Sequence, residues 1–146
     1  MILLPAEQDH VPALAARMRE ADRLEVGAFG KTPERALRLG LSSSLWALTA
    51  TVDDEPHAMM GVSSLNMIDG VGVPWMLGSD LIYEHGRDLL RYGPRIIAEM
   101  GRGFERLENV VHVENHRALR FLRHFGFQIS EQQEAYGGLQ FVRFRL

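Results

Sequence analysis

One stretch constrains this chain more than any other: VVHVENHRALRFLRHFGFQI, residues 110–129. It opens on β-branched residues that suit a strand. Asn115 then stands at a helix entrance, where Asn is a favoured N-cap. Ala118, Phe121, Leu122 and Phe125 recur at helical spacing on one side, and Arg117, Arg120, Arg123 and His124 occupy the other. Gly126 supplies a C-terminal stop where a positive φ is favoured, and Phe127 restarts a strand.

The rest of the chain reads as follows. MILLP suits an edge strand, because Pro5 cannot donate to a ladder. Asp9 is expected to cap a helix carrying Val11, Leu14, Ala15 and Met18. In KTPERALRLG, Thr32 caps, Pro33 takes the first turn and Gly40 is expected to end the helix. SLWALTATV and HAMMGVSSLNM flank the turn DDEP as a hairpin, and GVGVPWMLGS reads as a third, buried strand. Residues 80–107 are mostly helical by pattern, with Pro94 expected to break or restart the helix. ENVVHV is a strand, and Gly137-Gly138 turn into a last one, LQFVRFRL. Helices, a meander, a helix, a strand, a helix and strands make a mixed α/β domain. Trp75, Met59, Met60, Met67 and Met76 are expected to fill the core between sheet and helices.

Composition narrows the chemistry. The 146 residues suit one domain, residues 1–146, with 46% apolar and 24% charged side chains. There is no cysteine, which excludes disulfides, thiolate metal sites and thiol nucleophiles. A net charge of −3 argues against a general nucleic-acid binder. Neither a signal peptide nor a membrane span is readable, so a cytoplasmic location is expected.

Asn115, Ala118, Phe121-Leu122 and Phe125-Gly126-Phe127, with the hairpin TVDDEPHAMMGV and its Gly61, resemble the GNAT acyl-CoA N-acyltransferase superfamily. The resemblance runs in order over nearly the whole chain and is specific in the C-terminal block. It implies a GNAT-like α/β domain: a mixed, mostly antiparallel sheet with splayed central strands, flanked by helices. It also implies acetyl-CoA as donor and an amine as acceptor. The pantetheine arm would lie between the splayed strands, and the pyrophosphate on backbone N–H groups at a helix start. On this resemblance Leu77, Gly78, Gly86, Arg87, Arg91 and Asn115 would contact the cofactor, and Glu25 or Asp22 would act as base.

Three positions depart from the superfamily pattern. Tyr83 stands where the phosphate loop carries Arg or Gln, and Asp88 where it carries Gly or Ala. Leu122 occupies the place of the proton-donating tyrosine and cannot transfer a proton. A narrower resemblance accommodates these departures. RMREADRLEVGAFGKTPERAL, WMLGSD and RLENVVHVENHRALRFLRHFGF are similar to GNAT-like proteins of tailed phages and prophages, including podophage internal virion or assembly proteins. That implies a non-catalytic alternative, binding a phage or host protein in the virion or the host cytoplasm. A homodimer is left open.

Each candidate also has a plain structural reading. Asn115 can be only a helix cap. Asp22 and Glu25, three apart on one helical face, can be a solvated pair matched by Arg19 and Arg23. His112 and His116 are spaced i, i+4 but span a strand end and a helix start, without a third ligand nearby, which disfavours zinc. The serines at 42–44 lack nucleophile-elbow glycines. The Arg117, Arg120, Arg123 row reads as a solvated face.

Overall fold

The computed structural model describes residues 1–64 and 68–146. Seven strands form one sheet in the order β1-β2-β3-β4-β5-β7-β6. They are β1 (Ile2–Pro5), β2 (Ser44–Val52), β3 (Glu55–Ser64), β4 (Val71–Gly78), β5 (Arg106–His112), β6 (Gln128–Tyr136) and β7 (Leu139–Arg145). All neighbours are antiparallel except β4 and β5. Asp53 and Asp54, with φ of 51° and 63°, form the β2–β3 turn, the left-handed pair that suits a tight hairpin. Met67, expected in the core, lies outside the described residues.

Helices α1 (Val11–Ala16), α2 (Glu20–Ala28) and α3 (Pro33–Ser43) cover one face. Helices α4 (Asp80–Glu84), α5 (Gly86–Gly101) and α6 (His116–His124) cover the other. The alternation of β3 divides the core between them. Met59 packs with Val11, Leu14, Val26 and Leu37, whereas Met60 packs with Ile82, Leu89, Val111 and Phe144. Trp75 and Leu77 likewise face the first group and Met76 the second.

Several local expectations are corrected. Asp9 lies inside a 3₁₀ turn, Gln8–His10, whose capping residue is Glu7, paired reciprocally with His10. Helix α3 starts on Thr32, whose hydroxyl accepts from Arg35 N–H at 3.2 Å, but continues past Gly40 to Ser43. Gly40 is needed for packing instead: a Cβ there would sit 3.0 Å from the Trp75 indole. The helical break falls at His85, and Pro94 lies inside α5. Pro94 and Leu90 are both exposed, so the Leu90 carbonyl that Pro94 cannot bond lies on the solvent side of the helix.

Candidate functional site

Strands β4 and β5 pair only at Val71–Arg106 and Gly72–Leu107 and then diverge. The cause is readable in their edges. Ser79 N–H donates to the His57 carbonyl at 2.8 Å, which makes residues 79, 77, 75 and 73 the ones bonded to β3. Pro74, Met76 and Gly78 therefore turn their backbone groups toward β5, and Pro74 has no N–H to give. On β5, Leu107 exchanges both hydrogen bonds with Leu146, so Glu108, Val110 and His112 face the gap.

Side chains replace the missing ladder. Asn109 Nδ2 donates to the Pro74 carbonyl and its Oδ1 accepts from Val110 N–H, both at 2.8 Å. Its amide thus works as a peptide group inserted between the strands. Farther along, Gly78 N–H donates to Asp22 Oδ2 at 2.9 Å, and the Gly78 carbonyl accepts from Arg19 N–H at 2.9 Å. Opposite, His112 N–H donates to Glu25 Oε1 at 3.0 Å, and so does Asn115 Nδ2 at 2.8 Å. Arg19 Nη2 joins the two sides by donating to Asn115 Oδ1 at 2.6 Å.

Helix α2 delivers these groups because Arg19 precedes it in an extended conformation and its carbonyl accepts the first helical N–H bonds. Asp22 and Glu25 then point into the gap from one face. They are not a solvated pair: Asp22 is 4% exposed, its partner Arg19 6%, and Glu25 is half-buried. Arg23 does not serve them. Its guanidinium folds back onto the Ala15, Ala16 and Met18 carbonyls, where it caps the end of α1.

The electrostatics follow from burial. Desolvation raises the Asp22 pKa to about 7, against the opposing pull of the Arg19 guanidinium and the Gly78 N–H. Glu25 is raised for the same first reason, opposed by Asn115 and the His112 N–H. Arg19 stacks over the Tyr83 ring at 4.5 Å, and Arg117 lies over the same ring at 5.8 Å. Burial, reinforced by the Asp22 charge, raises the Tyr83 phenol, which stays protonated.

A cavity of about 630 Å³ runs through the gap. Met76, Asn109, Val110, Asp22, Glu25 and Asn115 line its middle. On the α5–α6 side its wall includes Tyr83, Ile96, Phe121 and Leu122, and on the α2–α3 side Phe29, Trp75 and Tyr136. The Ala118, Phe121, Leu122, Phe125 stripe therefore borders the cavity as well as the core.

The expected site residues separate into two groups. Asp22, Glu25, Gly78 and Asn115 converge. Asn115 stands at the N-cap position of α6 but makes no side-chain cap, because both ends of its amide are used across the gap. Leu77 borders the cavity, although its backbone belongs to the β3 ladder. Gly86, Arg87 and Arg91 lie away, at the start of α5. There a Cβ on Gly86 would meet only Phe121, at 4.0 Å, so close backbone approach is open. The residues before it form the helical turn α4 instead of a glycine cradle, and Asp88 lies 3.6 Å from His85 Nδ1. The residues thus fit the thioester end of acetyl-CoA better than its pyrophosphate end.

Sequence reading gave Arg19 only as a surface partner of the carboxylates and Tyr83 only as a departure in the phosphate loop, and it missed Asn109. Pro74 was the available signal, since a proline inside an apolar strand marks a broken ladder. Of the histidine pair, His112 is buried beside Phe141 and His116 is exposed. Ser79 Oγ lies 2.7 Å from His57 Nδ1, a contact that suggests a nucleophile. Arg17 Nη1 approaches His57 Nε2 at 3.2 Å and can only donate, so the ring proton sits on Nδ1 and Ser79 accepts. That hydroxyl is not activated.

No family model matches the sequence, and no curated protein matches it. Solved structures do match. A ribosomal-protein-alanine N-acetyltransferase from Brucella melitensis superposes with a TM-score of 0.68 at 14% identity, covering 100% of this chain and 99% of that one. An acetyltransferase of the GNAT family from Streptococcus pneumoniae gives 0.65 at 15% identity, covering 99% and 97%. RimL, a ribosomal α-N-protein acetyltransferase in complex with coenzyme A, gives 0.61 at 13% identity, covering 99% and 92%. At such identities the likeness is one of architecture, and this chain has the fold of the GNAT-family acetyltransferases.

Proposed function

We propose that the chain transfers an acetyl group from acetyl-CoA to an amine within the gap between β4 and β5. The observation that carries this is the cavity through the gap with Asp22, of pKa about 7, in its wall. A carboxylate with a pKa near the working pH is suited to take a proton from an incoming ammonium. The amine nitrogen then bonds to the acyl carbon as the carbon–sulfur bond breaks, and the second proton the nitrogen sheds replaces the one that the leaving thiolate takes up. Met76 N–H faces the gap where the thioester carbonyl would lie. Leu122 supplies no proton; Tyr83, protonated and in the cavity wall, or water takes that role. Arg87 and Arg91, exposed at the start of α5, would meet the phosphates.

The test is release of free thiol from acetyl-CoA with a panel of primary amines, which this cysteine-free chain does not obscure. Asp22→Asn is expected to lower kcat by about 100-fold or more, with binding of acetyl-CoA retained. An unchanged kcat in that variant would remove Asp22 from the chemistry.

A second reading has its own support. Asp22 and Arg19 already engage both backbone groups of Gly78, and Asn115 is likewise engaged. With Leu122 and the acidic turn before Gly86, this favours a GNAT fold used for binding without turnover. It matches the resemblance to phage and prophage assembly proteins, and predicts no thiol release with any amine.

A further inference from the structure

The α2–α3 side of the cavity points to the kind of amine it takes. Asp22, Glu25, Val26 and Phe29 all line it, at i, i+3, i+4 and i+7 along α2 and its C-cap residue Phe29. They form one stripe spanning about 10 Å along the helix axis. Carboxylates stand at its inner end and an aromatic ring at its outer end. Phe29 packs against Tyr136 at 5.1 Å between centroids and against Phe141 at 5.4 Å, while Tyr136 and Phe141 lie 5.6 Å apart. Phe29 is nevertheless 45% exposed, so one part of the ring faces open space beside the cavity.

This aromatic wall is held in place. The β6–β7 turn packs directly on the end of α2, and a Cβ on Gly137 would overlap the Ala28 backbone. Glu134 is not free to attract a cation, because Arg143 holds it at 2.9 and 2.6 Å and Tyr136 Oη at 2.6 Å. Lys31 also lines the cavity, with its Nζ 6.0 Å from the Phe29 ring centre and no ion pair among the described residues. The outer end therefore combines aromatic surface with a positive charge.

We infer that the acceptor is a primary amine carried on a flat aromatic body, with its ammonium at Asp22 and Glu25 and its ring against Phe29 and Tyr136. This rests on the acyl-transfer reading for the word acceptor, though the pocket itself does not require a donor. A second ammonium at the far end, as in a polyamine, would meet Lys31 instead of a carboxylate and is disfavoured.

The test is equilibrium binding read by quenching of Trp75, which lines the same cavity. Without any acyl donor, 2-phenylethylamine is expected to bind at least about tenfold more tightly than 1,4-diaminobutane. Phe29→Ala, at an exposed position, should abolish that preference by weakening the aromatic amine. Lys31→Glu should reverse it by strengthening the diamine. Equal or tighter diamine binding to the wild type, or no effect of Phe29→Ala, overturns the inference. Acetyl-CoA binding with no aromatic-amine binding overturns this inference alone. Aromatic-amine binding with no acetyl-CoA binding supports the pocket and removes the acyl donor from the reading above.

Discussion

Replacing Arg19 with alanine is expected to cost about 3–5 kcal/mol of folding stability near pH 8. Arg19 is the cation of a network in which the Asp22 carboxylate and the Asn115 amide are shut away from water between β4 and β5 and the Glu25 carboxylate is half-buried. Removing it leaves Asn115 Oδ1 without its donor and sets the charges of Asp22 and Glu25 against each other. Urea unfolding of the two proteins measures the loss. Arg19→Lys should recover only part, because a single ammonium cannot reach Asn115 and also cover the Tyr83 ring. A cost below about 1 kcal/mol would mean that the gap is wet and the network is not the strut described here.

Asp22 gives the second large effect, on pH dependence. Its pKa stands at about 7 in the folded chain against an ordinary 3.8. Between these values the folded state holds a proton that the unfolded state has lost, so stability falls as pH rises from about 4 to about 7 and is level above. At about 1.4 kcal/mol per pH unit, the fall from this one group is on the order of 4 kcal/mol. In Asp22→Asn the fall disappears, so the variant gains on the wild type with rising pH across that window. Parallel stability curves for the two proteins from pH 4 to pH 8 would contradict the burial of a titrating Asp22.

The elements of the fold were largely legible, since their signals are local. Thr32-Pro33, the Asp53-Asp54 turn and Gly126 mark boundaries through backbone chemistry that needs only neighbours. The Gly40 and Pro94 expectations failed for a related reason. Propensity weighs a residue by itself, whereas the indole of Trp75 decides what stands at position 40 and solvent exposure tolerates the proline at 94.

The site was legible as residue identities and not as an arrangement. Asp22 and Glu25 could be named from the sequence, but their burial depends on groups 56 and 87 residues away, and the Arg19–Asn115 link spans 96. Nothing in the helical pattern of α2 separates a carboxylate in water from one wedged between two strands. Asn115 has the same ambiguity: a helix-start Asn reads as a cap whether or not its side chain is needed elsewhere. Tyr83 carried no local signal, because its place is set by stacking against Arg19 and Phe121.

The most direct test of acetyl-CoA binding in the gap is the thermal midpoint with and without acetyl-CoA, with dephospho-CoA as comparison. At about 100 times its dissociation constant, a bound ligand adds roughly 2.7 kcal/mol, which for a domain of this size is a rise of roughly 5–10 °C. That rise, smaller with dephospho-CoA and lost in Gly86→Glu, is the result this account predicts. No rise at millimolar acetyl-CoA would contradict it and leave the fold as a binding scaffold.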